Sequence, residues 1–476
     1  MHEARLLIGG HRVPGEGGEH ITFNPYSGEP VARLSLASPG QVREAVRSSR
    51  DAFTGYRRLP AHRRGDMLLA AARLTAERAE VLARTITEEN GKPVRLARAE
   101  VNRAATVFRL AAAEAGRITG ETIPMDAVPG SEGRIGFYIR QPVGVVAAIT
   151  PFNFPLNLAV HKIAPALAAG NTVVLKPSSQ TPLTASLLGE IITDAGFPAG
   201  TLSVVPCARD AAEALAADPD VAAVSFTGSV AAGRSVRDGA GLKRVSLELG
   251  SNSGNIVAGS ADLEQAAASC VVGGFAYAGQ VCISVQRIYV QRTVLEAFTA
   301  LFLPRVQALR SGDPREETTD VGPLVSDEAA ERVRGWMDEA MRGGARVLCG
   351  GQLEGRMMQP TVLAAVDRGM KVVCQEVFAP LVSIIPFETF DQALAMVNDS
   401  RYGLNAGVFT RDLAEAFRAV EELEVGSVIV NDSSAYRADH MPYGGVKSSG
   451  LGREGVRFAM EEMTEIKLAV IRLPHS

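Results

Sequence analysis

Between about 40 and 115, apolar residues recur at three- and four-residue intervals with Arg and Glu between them, as in the segment 66–89. That spacing predicts amphipathic helices. The pattern breaks at 118–141, where Gly120, Pro124, Pro129, Gly130 and Gly133 separate short extended runs. Turn formers at that density predict a hairpin or an arm leaving the body.

Beyond the arm, short apolar runs alternate with helix-period segments. Strands are predicted at 143–149, 172–175, 202–205, 221–226 and 245–247, with helices at 156–169 and 184–195. Such alternation means parallel strands joined by helical crossovers, hence an α/β fold built on a doubly wound parallel sheet. A second α/β series begins near Asn255, with a strand at 255–258, a helix at 263–277 and a strand at 284–290, and runs to about 430. The segment 467–473 alternates like an exposed strand and is expected to pair outside its own domain.

Composition narrows the classes of function. With 46% hydrophobic and 21% charged residues, the 476-residue chain has room for roughly three folded domains. Its formal charge is −4 and no basic block stands out, so neither nucleic acid nor an anionic membrane is an expected partner. No run of about 18 apolar residues predicts a membrane span. The start Met1-His2-Glu3-Ala4-Arg5 lacks a signal-peptide pattern. Five scattered cysteines without a Cys-x-x-Cys pair argue against a disulfide framework or a thiolate metal site, and seven dispersed histidines form no His-Glu-x-x-His helix. The expectation is a cytoplasmic protein without a metal.

The doubly wound half suggests a nucleotide, yet the usual Gly-x-Gly-x-x-Gly fingerprint is read as missing, as is a Walker A loop. Four short segments carry the chemistry instead. In Gly279-Gln280-Val281-Cys282, a Gly-Gln turn after a helix can present a thiol to a cleft, whereas Cys270, Cys349 and Cys374 read as inert buried residues. In Pro151-Phe152-Asn153-Phe154-Pro155, two prolines stiffen a loop that could aim the Asn153 amide at a developing oxyanion; the alternative is a plain turn. Glu248, in Glu248-Leu249-Gly250 at a strand end, is either a general base or the partner of Lys243 or Arg244. Lys176, in Lys176-Pro177-Ser178, either reaches a ribose or phosphate or is merely solvated.

The order of these segments, together with Phe226-Thr227-Gly228-Ser229, Glu376-Val377-Phe378 and Pro442-Tyr443-Gly444-Gly445-Val446-Lys447, resembles the aldehyde dehydrogenase superfamily from about 20 to 470. The resemblance is nearest the lactaldehyde, non-phosphorylating glyceraldehyde-3-phosphate and phosphonoaldehyde branch. It implies an NAD(P)-binding domain at 1–117 and 142–249, a catalytic domain at 250–430, and an oligomerisation arm at 118–141 plus 465–476. It also implies that 431–464 returns to the cofactor domain, and that the protein is a homodimer or homotetramer. Cys282 would be the nucleophile, Asn153 the oxyanion donor and Glu248 the base. Thr150, Lys176, Ser179 and Ser229 would face the adenosine and pyrophosphate side of NADP or NAD, with Glu376 on the nicotinamide ribose and Phe378 against the ring. The implied chemistry is oxidation of an aldehyde to its acid through a thiohemiacetal and a thioester.

Departures from the family pattern refine that expectation. Ser179 stands where NAD-preferring relatives carry Glu, which removes a charge that repels a 2′-phosphate and favours dual use with a lean to NADP. Arg109 matches a phosphate-binding arginine of the glyceraldehyde-3-phosphate enzymes, with a solvated helix arginine paired to Glu114 as the alternative. His161 falls where lactaldehyde enzymes carry a substrate-contacting arginine, and Arg437 could add positive charge nearby. These residues predict a small polar or anionic aldehyde, of hydroxyaldehyde or phosphonoaldehyde type. A CoA-acylating semialdehyde dehydrogenase is the alternative within the family, with Glu248 against it. A catalytically silent relative is the alternative outside enzymes.

Overall fold

The computed structural model describes residues 1–473. Its first sheet has eight strands in the spatial order Gly450–Leu451, Arg244–Glu248, Val221–Thr227, Val145–Ile149, Thr172–Lys176, Leu202–Val204, Leu6–Ile8 and His11–Val13. The central strands run parallel, and antiparallel strands close both edges. From Val145–Ile149 the chain winds outward to Leu202–Val204, then crosses back to Val221–Thr227 and winds the other way. That reversal opens a crevice beyond the carboxyl ends of Val145–Ile149 and Val221–Thr227, the place where doubly wound sheets receive ligands.

Both faces of this sheet are covered. Helices Val94–Ala115 and Asn157–Ala169 pack on one side, and Pro39–Tyr56, Arg209–Ala217 and Val230–Ala240 on the other. Strands buried on both faces are apolar at most positions, which is why their runs stand out in the sequence. The spelling Gly-x-Gly-x-x-Gly does occur at 450–455, but there it forms the antiparallel edge strand Gly450–Leu451 rather than a strand-to-helix phosphate turn.

The second sheet has seven strands, in the order Arg346–Cys349, Thr361–Ala364, Leu381–Phe387, Arg287–Gln291, Gly254–Val257, Asn405–Phe409 and Ser427–Val430. Two boundaries of this second series differ from the periodic reading by more than one residue. The helix expected at 263–277 ends at Phe275, because Tyr277 and Ala278 turn left-handed with φ of 49° and 52°. The strand expected from 284 begins at Arg287. Ser284 instead donates to the carbonyls of Gly273 and Gly274, and Gln286 to those of Val372 and Gln375, so these side chains bind loops.

In the arm, strand Thr464–Arg472 pairs along its whole length with Arg134–Pro142, which also pairs with Thr122–Ile123. Positions 474–476 of the expected arm lie outside the described residues. The segment 431–464 does not pass directly to the first sheet. Ser434 is held by Asn255 and donates to the Ile283 carbonyl, both over the second sheet. Only later do Gly450–Leu451 and the helix Val456–Glu462 join the first unit. The sequence reading missed the strands His2–Ala4, Glu19–Phe23 and Pro30–Ser35, which form a small sheet too short and polar to show a period. No helix among the described residues is long and apolar enough to cross a membrane.

Candidate active site

The loop that carries Cys282 is rigid for local reasons. After the left-handed Tyr277 and Ala278 comes Gly279 with φ of 67°, where a Cβ would lie 2.2 Å from the Ala379 carbonyl oxygen. Only glycine passes that point without displacing backbone. The buried Gln280 amide then accepts from the Val325 N–H at 2.9 Å and donates to the Pro323 carbonyl at 3.3 Å. Cys207, Cys270 and Cys349 are buried, whereas Cys282 and Cys374 retain some exposure. Cys282 Sγ lies 2.9 Å from the Tyr443 hydroxyl. Burial pushes its thiol up to about 11, against the opposing Tyr443 hydrogen bond and the Arg437 charge.

Asn153 sits just past the carboxyl end of Val145–Ile149, and its side-chain N–H donates to the Gln280 carbonyl at 3.0 Å. The oxyanion-type loop and the cysteine loop are therefore in direct contact. Both are also bolted to the segment Asn90-Gly91-Lys92, which the sequence reading overlooked. Asn90 donates to the Phe152 carbonyl at 2.9 Å and accepts from the Tyr277 hydroxyl at 3.0 Å. Lys92 is fully buried, donates to the Asn153 carbonyl at 2.6 Å and pairs with Glu100. Its ammonium lies 3.8 Å from the Phe154 ring centroid. Glu100 in turn accepts the Leu156 and Asn157 N–H groups at 3.0 and 3.1 Å. A left-handed Gly91 between Asn and Lys was the one local signal that this segment holds a tight turn.

Glu248 closes its strand at 3% exposure, and neither carboxylate oxygen has a hydrogen-bond partner. The candidate salt bridge with Lys243 or Arg244 does not form: Lys243 donates to the Ala217 carbonyl and Arg244 pairs with Glu465. Burial raises the Glu248 carboxyl well above its ordinary range, and the nearby Glu454 raises it further. Gly444 lies against this carboxylate, since a Cβ there would come within 2.8 Å of Glu248 Oε1. Glu454 itself is well partnered, with Lys162 at 2.7 Å and Arg437 at 2.9 Å. Against the effect of its burial, those two cations hold it below the usual carboxylate range.

His161 is buried in this cluster and shares a 3.0 Å hydrogen bond with Asp439, which also pairs with Arg103 at 2.7 Å. Burial and then the Arg437 charge lower its pKa, and Nε2 is the ring nitrogen that faces the Asp439 carboxylate. Arg109 is not brought here. It is exposed on the helix Val94–Ala115 and donates to Thr106, while Glu114 pairs with Arg117 instead. The helix turns Arg103 inward in its place. Arg437 is buried with its guanidinium 3.7 Å from the Tyr443 ring centroid, and its Nε–H has no partner. Lys92, Lys162, Glu454 and Arg103 were invisible as site residues in the sequence, since each is an ordinary charge on a helix or in a loop.

The proposed cofactor positions border the crevice of the first sheet. Two buried hydroxyls without partners, Thr150 and Thr227, stand at the carboxyl ends of the adjacent strands Val145–Ile149 and Val221–Thr227. Ser229 caps the helix Val230–Ala240, whose N-terminus offers N–H groups to an anion. Lys176 ends its strand with its pKa lowered by burial, and the Ser179 carbonyl accepts from Thr22 at 3.1 Å. Glu376 accepts from the Ser251 N–H at 3.0 Å, and burial pushes its carboxyl up to about 7. At Gly250 a Cβ would meet that carboxylate at 2.3 Å. The Phe378 ring lies 6.1 Å, edge to face, from that of Phe152. Orphaned hydroxyls, a helix N-terminus and a cation along one crevice fit a dinucleotide.

Residues 13–469 match the model of the aldehyde dehydrogenase family. The chain is 48% identical over 452 residues to a 3-sulfolactaldehyde dehydrogenase of Priestia megaterium, covering 95% of this chain and 94% of that one. It is 40% identical to a lactaldehyde dehydrogenase of Methanocaldococcus jannaschii, with 94% and 96% covered. Among solved structures, the NADP complex of an NADP-dependent glyceraldehyde-3-phosphate dehydrogenase from Bacillus halodurans superposes with a TM-score of 0.97 at 36% identity, with both chains fully covered.

Proposed function

The chain belongs to the aldehyde dehydrogenase family, and on that premise we propose that it oxidises a small anionic hydroxyaldehyde, with a sulfonate, phosphonate or carboxylate group, to the corresponding acid. The coarser activity, NAD(P)-dependent oxidation of a small polar aldehyde, is common to its close relatives, which include sulfolactaldehyde, lactaldehyde and sulfoacetaldehyde dehydrogenases. The observation that carries the anionic reading is Arg437, a buried guanidinium with an unpartnered N–H, separated from the Cys282 sulfur by one phenol ring. Around it Lys162, Arg103 and Arg437 face Glu454 and Asp439, with the unpartnered Glu248 in the same buried region, so the free guanidinium N–H rather than a net charge marks the anion site. A buried guanidinium N–H without a partner favours an anion that accepts from it.

In this reading the Cys282 thiolate attacks the aldehyde carbon, a C–S bond forms, and the carbonyl electron pair moves to oxygen. One Asn153 N–H already binds Gln280, which leaves the second for that oxyanion beside the Cys282 backbone N–H. Bound NAD or NADP supplies the hydride acceptor that turns the hemiacetal into a thioester. Glu248 then takes a proton from the water that attacks the thioester, and sulfur recovers its electron pair as the acid leaves. Lys176, Ser179, Ser229 and Thr150 would hold the adenosine and pyrophosphate part, and Glu376 with Phe378 the nicotinamide end. Ser179 leaves room for a 2′-phosphate, so NADP and NAD both serve, with NADP favoured.

The arm supports a homo-oligomer, dimer or tetramer. Ile466, Leu468 and Val470 are exposed on one face of the edge strand Thr464–Arg472, and Ser427–Val430 is an open edge of the second sheet. Open edges of this kind pair with another chain unless blunted.

The test is a steady-state panel of neutral, carboxylated, sulfonated and phosphonated aldehydes with each cofactor, repeated in the presence of CoA. A kcat/KM at least tenfold higher for the anionic aldehydes supports the reading. Equal use of neutral aldehydes of the same length rejects it, and acyl-CoA as product would show a thiol rather than water as the acceptor.

A further inference from the structure

The Tyr443 hydroxyl lies 2.9 Å from Cys282 Sγ, and nothing in the two-step reading above uses it. Its placement is built in. The Tyr443 N–H donates to the Glu454 carbonyl at 3.0 Å, and the Glu454 N–H donates back to the Tyr443 carbonyl at 2.6 Å. The ring is 1% exposed and packs with Ile283 and Leu404. On it lies the Arg437 guanidinium, 3.7 Å from the ring centroid. Gly444 then carries the chain past Glu248. A hydroxyl held this firmly cannot rotate away from the sulfur without moving the strand-like bridge behind it.

We propose that Tyr443 is a catalytic residue: its phenol donates a hydrogen bond to the Cys282 sulfur as a thiolate, both when sulfur attacks the aldehyde and when it leaves the thioester. A thiolate has no proton to donate, so in that state the phenol must be the donor. The cation over the ring withdraws electron density and strengthens the O–H as a donor. Burial keeps the phenol protonated, its pKa raised well above the ordinary value, so its proton is lent and never transferred. In the first step the thiol proton departs to Glu248 or water, the C–S bond forms, and the carbonyl pair moves to oxygen. In the last step the C–S bond breaks, its electron pair returns to sulfur, and the same O–H stabilises the departing thiolate. Without that donor, a thiol pushed up by burial would be a poor nucleophile and a poor leaving group at neutral pH.

The proposal rests on Cys282 as the nucleophile, and the experiment separates the two. The rate of iodoacetamide labelling of Cys282, read by mass spectrometry of its peptide, is followed against pH in the wild-type chain and in Tyr443→Phe. Pre-steady-state bursts of reduced cofactor are recorded in parallel. A hydrogen bond to a charged group implies about a tenfold loss of labelling rate and of burst rate near neutral pH. Both should recover as pH rises, with KM for the cofactor unchanged. Genetic placement of 3-fluorotyrosine at 443, a stronger donor of nearly the same size, should shift the labelling profile the opposite way. An unchanged labelling profile in both variants overturns the proposal. So does a Tyr443→Phe defect confined to KM for the aldehyde, which would make the phenol a pocket wall. If instead Cys282→Ala keeps turnover, the nucleophile assignment itself fails.

Discussion

Glu248 and Glu454 share one buried region, yet only Glu454 has cations bonded to it. Lys162 and Arg437 neutralise Glu454, while Glu248 keeps both oxygens free and its carboxyl is raised by burial and by its neighbour. A general base needs such a carboxylate: unengaged, and basic enough to take a proton from water.

Glu248→Gln should therefore stop the enzyme after the thioester. Rapid mixing is expected to show a full burst of reduced cofactor, followed by turnover slower by about a hundred- to ten-thousandfold. A normal steady-state rate would show that another group activates the water.

The same relationship sets a pH dependence. Because the Glu248 pKa is raised, its base form is present above that pKa and is lost as pH falls through it. The hydrolysis limb of kcat should accordingly decline at a higher pH than an ordinary carboxylate would allow. Glu454→Gln removes the like charge and leaves Lys162 and Arg437 facing Glu248, so the limb should move to lower pH. A limb unmoved by that substitution would mean it reports a different group.

Lys92 ties Asn153 to the body of the first unit from a fully buried position. Lys92→Met leaves Glu100 charged and unpaired, so a destabilisation of about 3–5 kcal/mol is expected in denaturant unfolding. Asn153→Ala loses the buried bond to the Gln280 carbonyl, so it should cost about 1–2 kcal/mol, less than Lys92→Met, and lower kcat by about a hundred- to a thousandfold. The contrast distinguishes the residue that holds the loop from the one that donates.

Arg109 and Arg437 make opposite predictions. Arg109 is exposed and bonded to Thr106, so Arg109→Ala should leave kcat/KM for anionic aldehydes within about twofold, as surface charges usually do. Arg437→Met should abolish the preference for anionic over neutral aldehydes. A selective loss in the Arg109 variant instead would return the anion site to the helix surface.

Ser179 tests the cofactor. Introducing a carboxylate with Ser179→Glu should lower kcat/KM with NADP by at least about tenfold through repulsion of the 2′-phosphate, while NAD is largely spared. Equal losses with both cofactors would point to damage of the loop that Thr22 supports.

The parallel strands of both sheets were legible because burial on two faces leaves mostly apolar runs, unbroken at Val145–Ile149 and interrupted only by Ser225 between Val221 and Phe226. The helix end at Phe275 was not, since periodicity continues through Tyr277 and only the left-handed turn at Tyr277 and Ala278 breaks it. The N-terminal strands were too short and polar to carry a period at all. Among candidate site residues, Cys282, Asn153 and Glu248 were singled out by the local motifs around them, and the structure gathers their loops and strand end into one region. Arg109 was not separable from Arg103, because an arginine on a helix carries no mark of which way it points.

The sequence by itself determined the α/β winding, the loops that present Cys282 and Asn153, and the family to which the chain belongs. These depend on neighbours along the chain: apolar periodicity, prolines and glycines act locally. Only the tertiary structure decided that Lys92 bolts the two loops together, that Glu248 stands beside Glu454 without a partner of its own, and that Arg437 lies over a phenol bonded to the Cys282 sulfur. Those groups are more than a hundred residues apart in several pairings, and charge, burial and hydrogen bonding act through space.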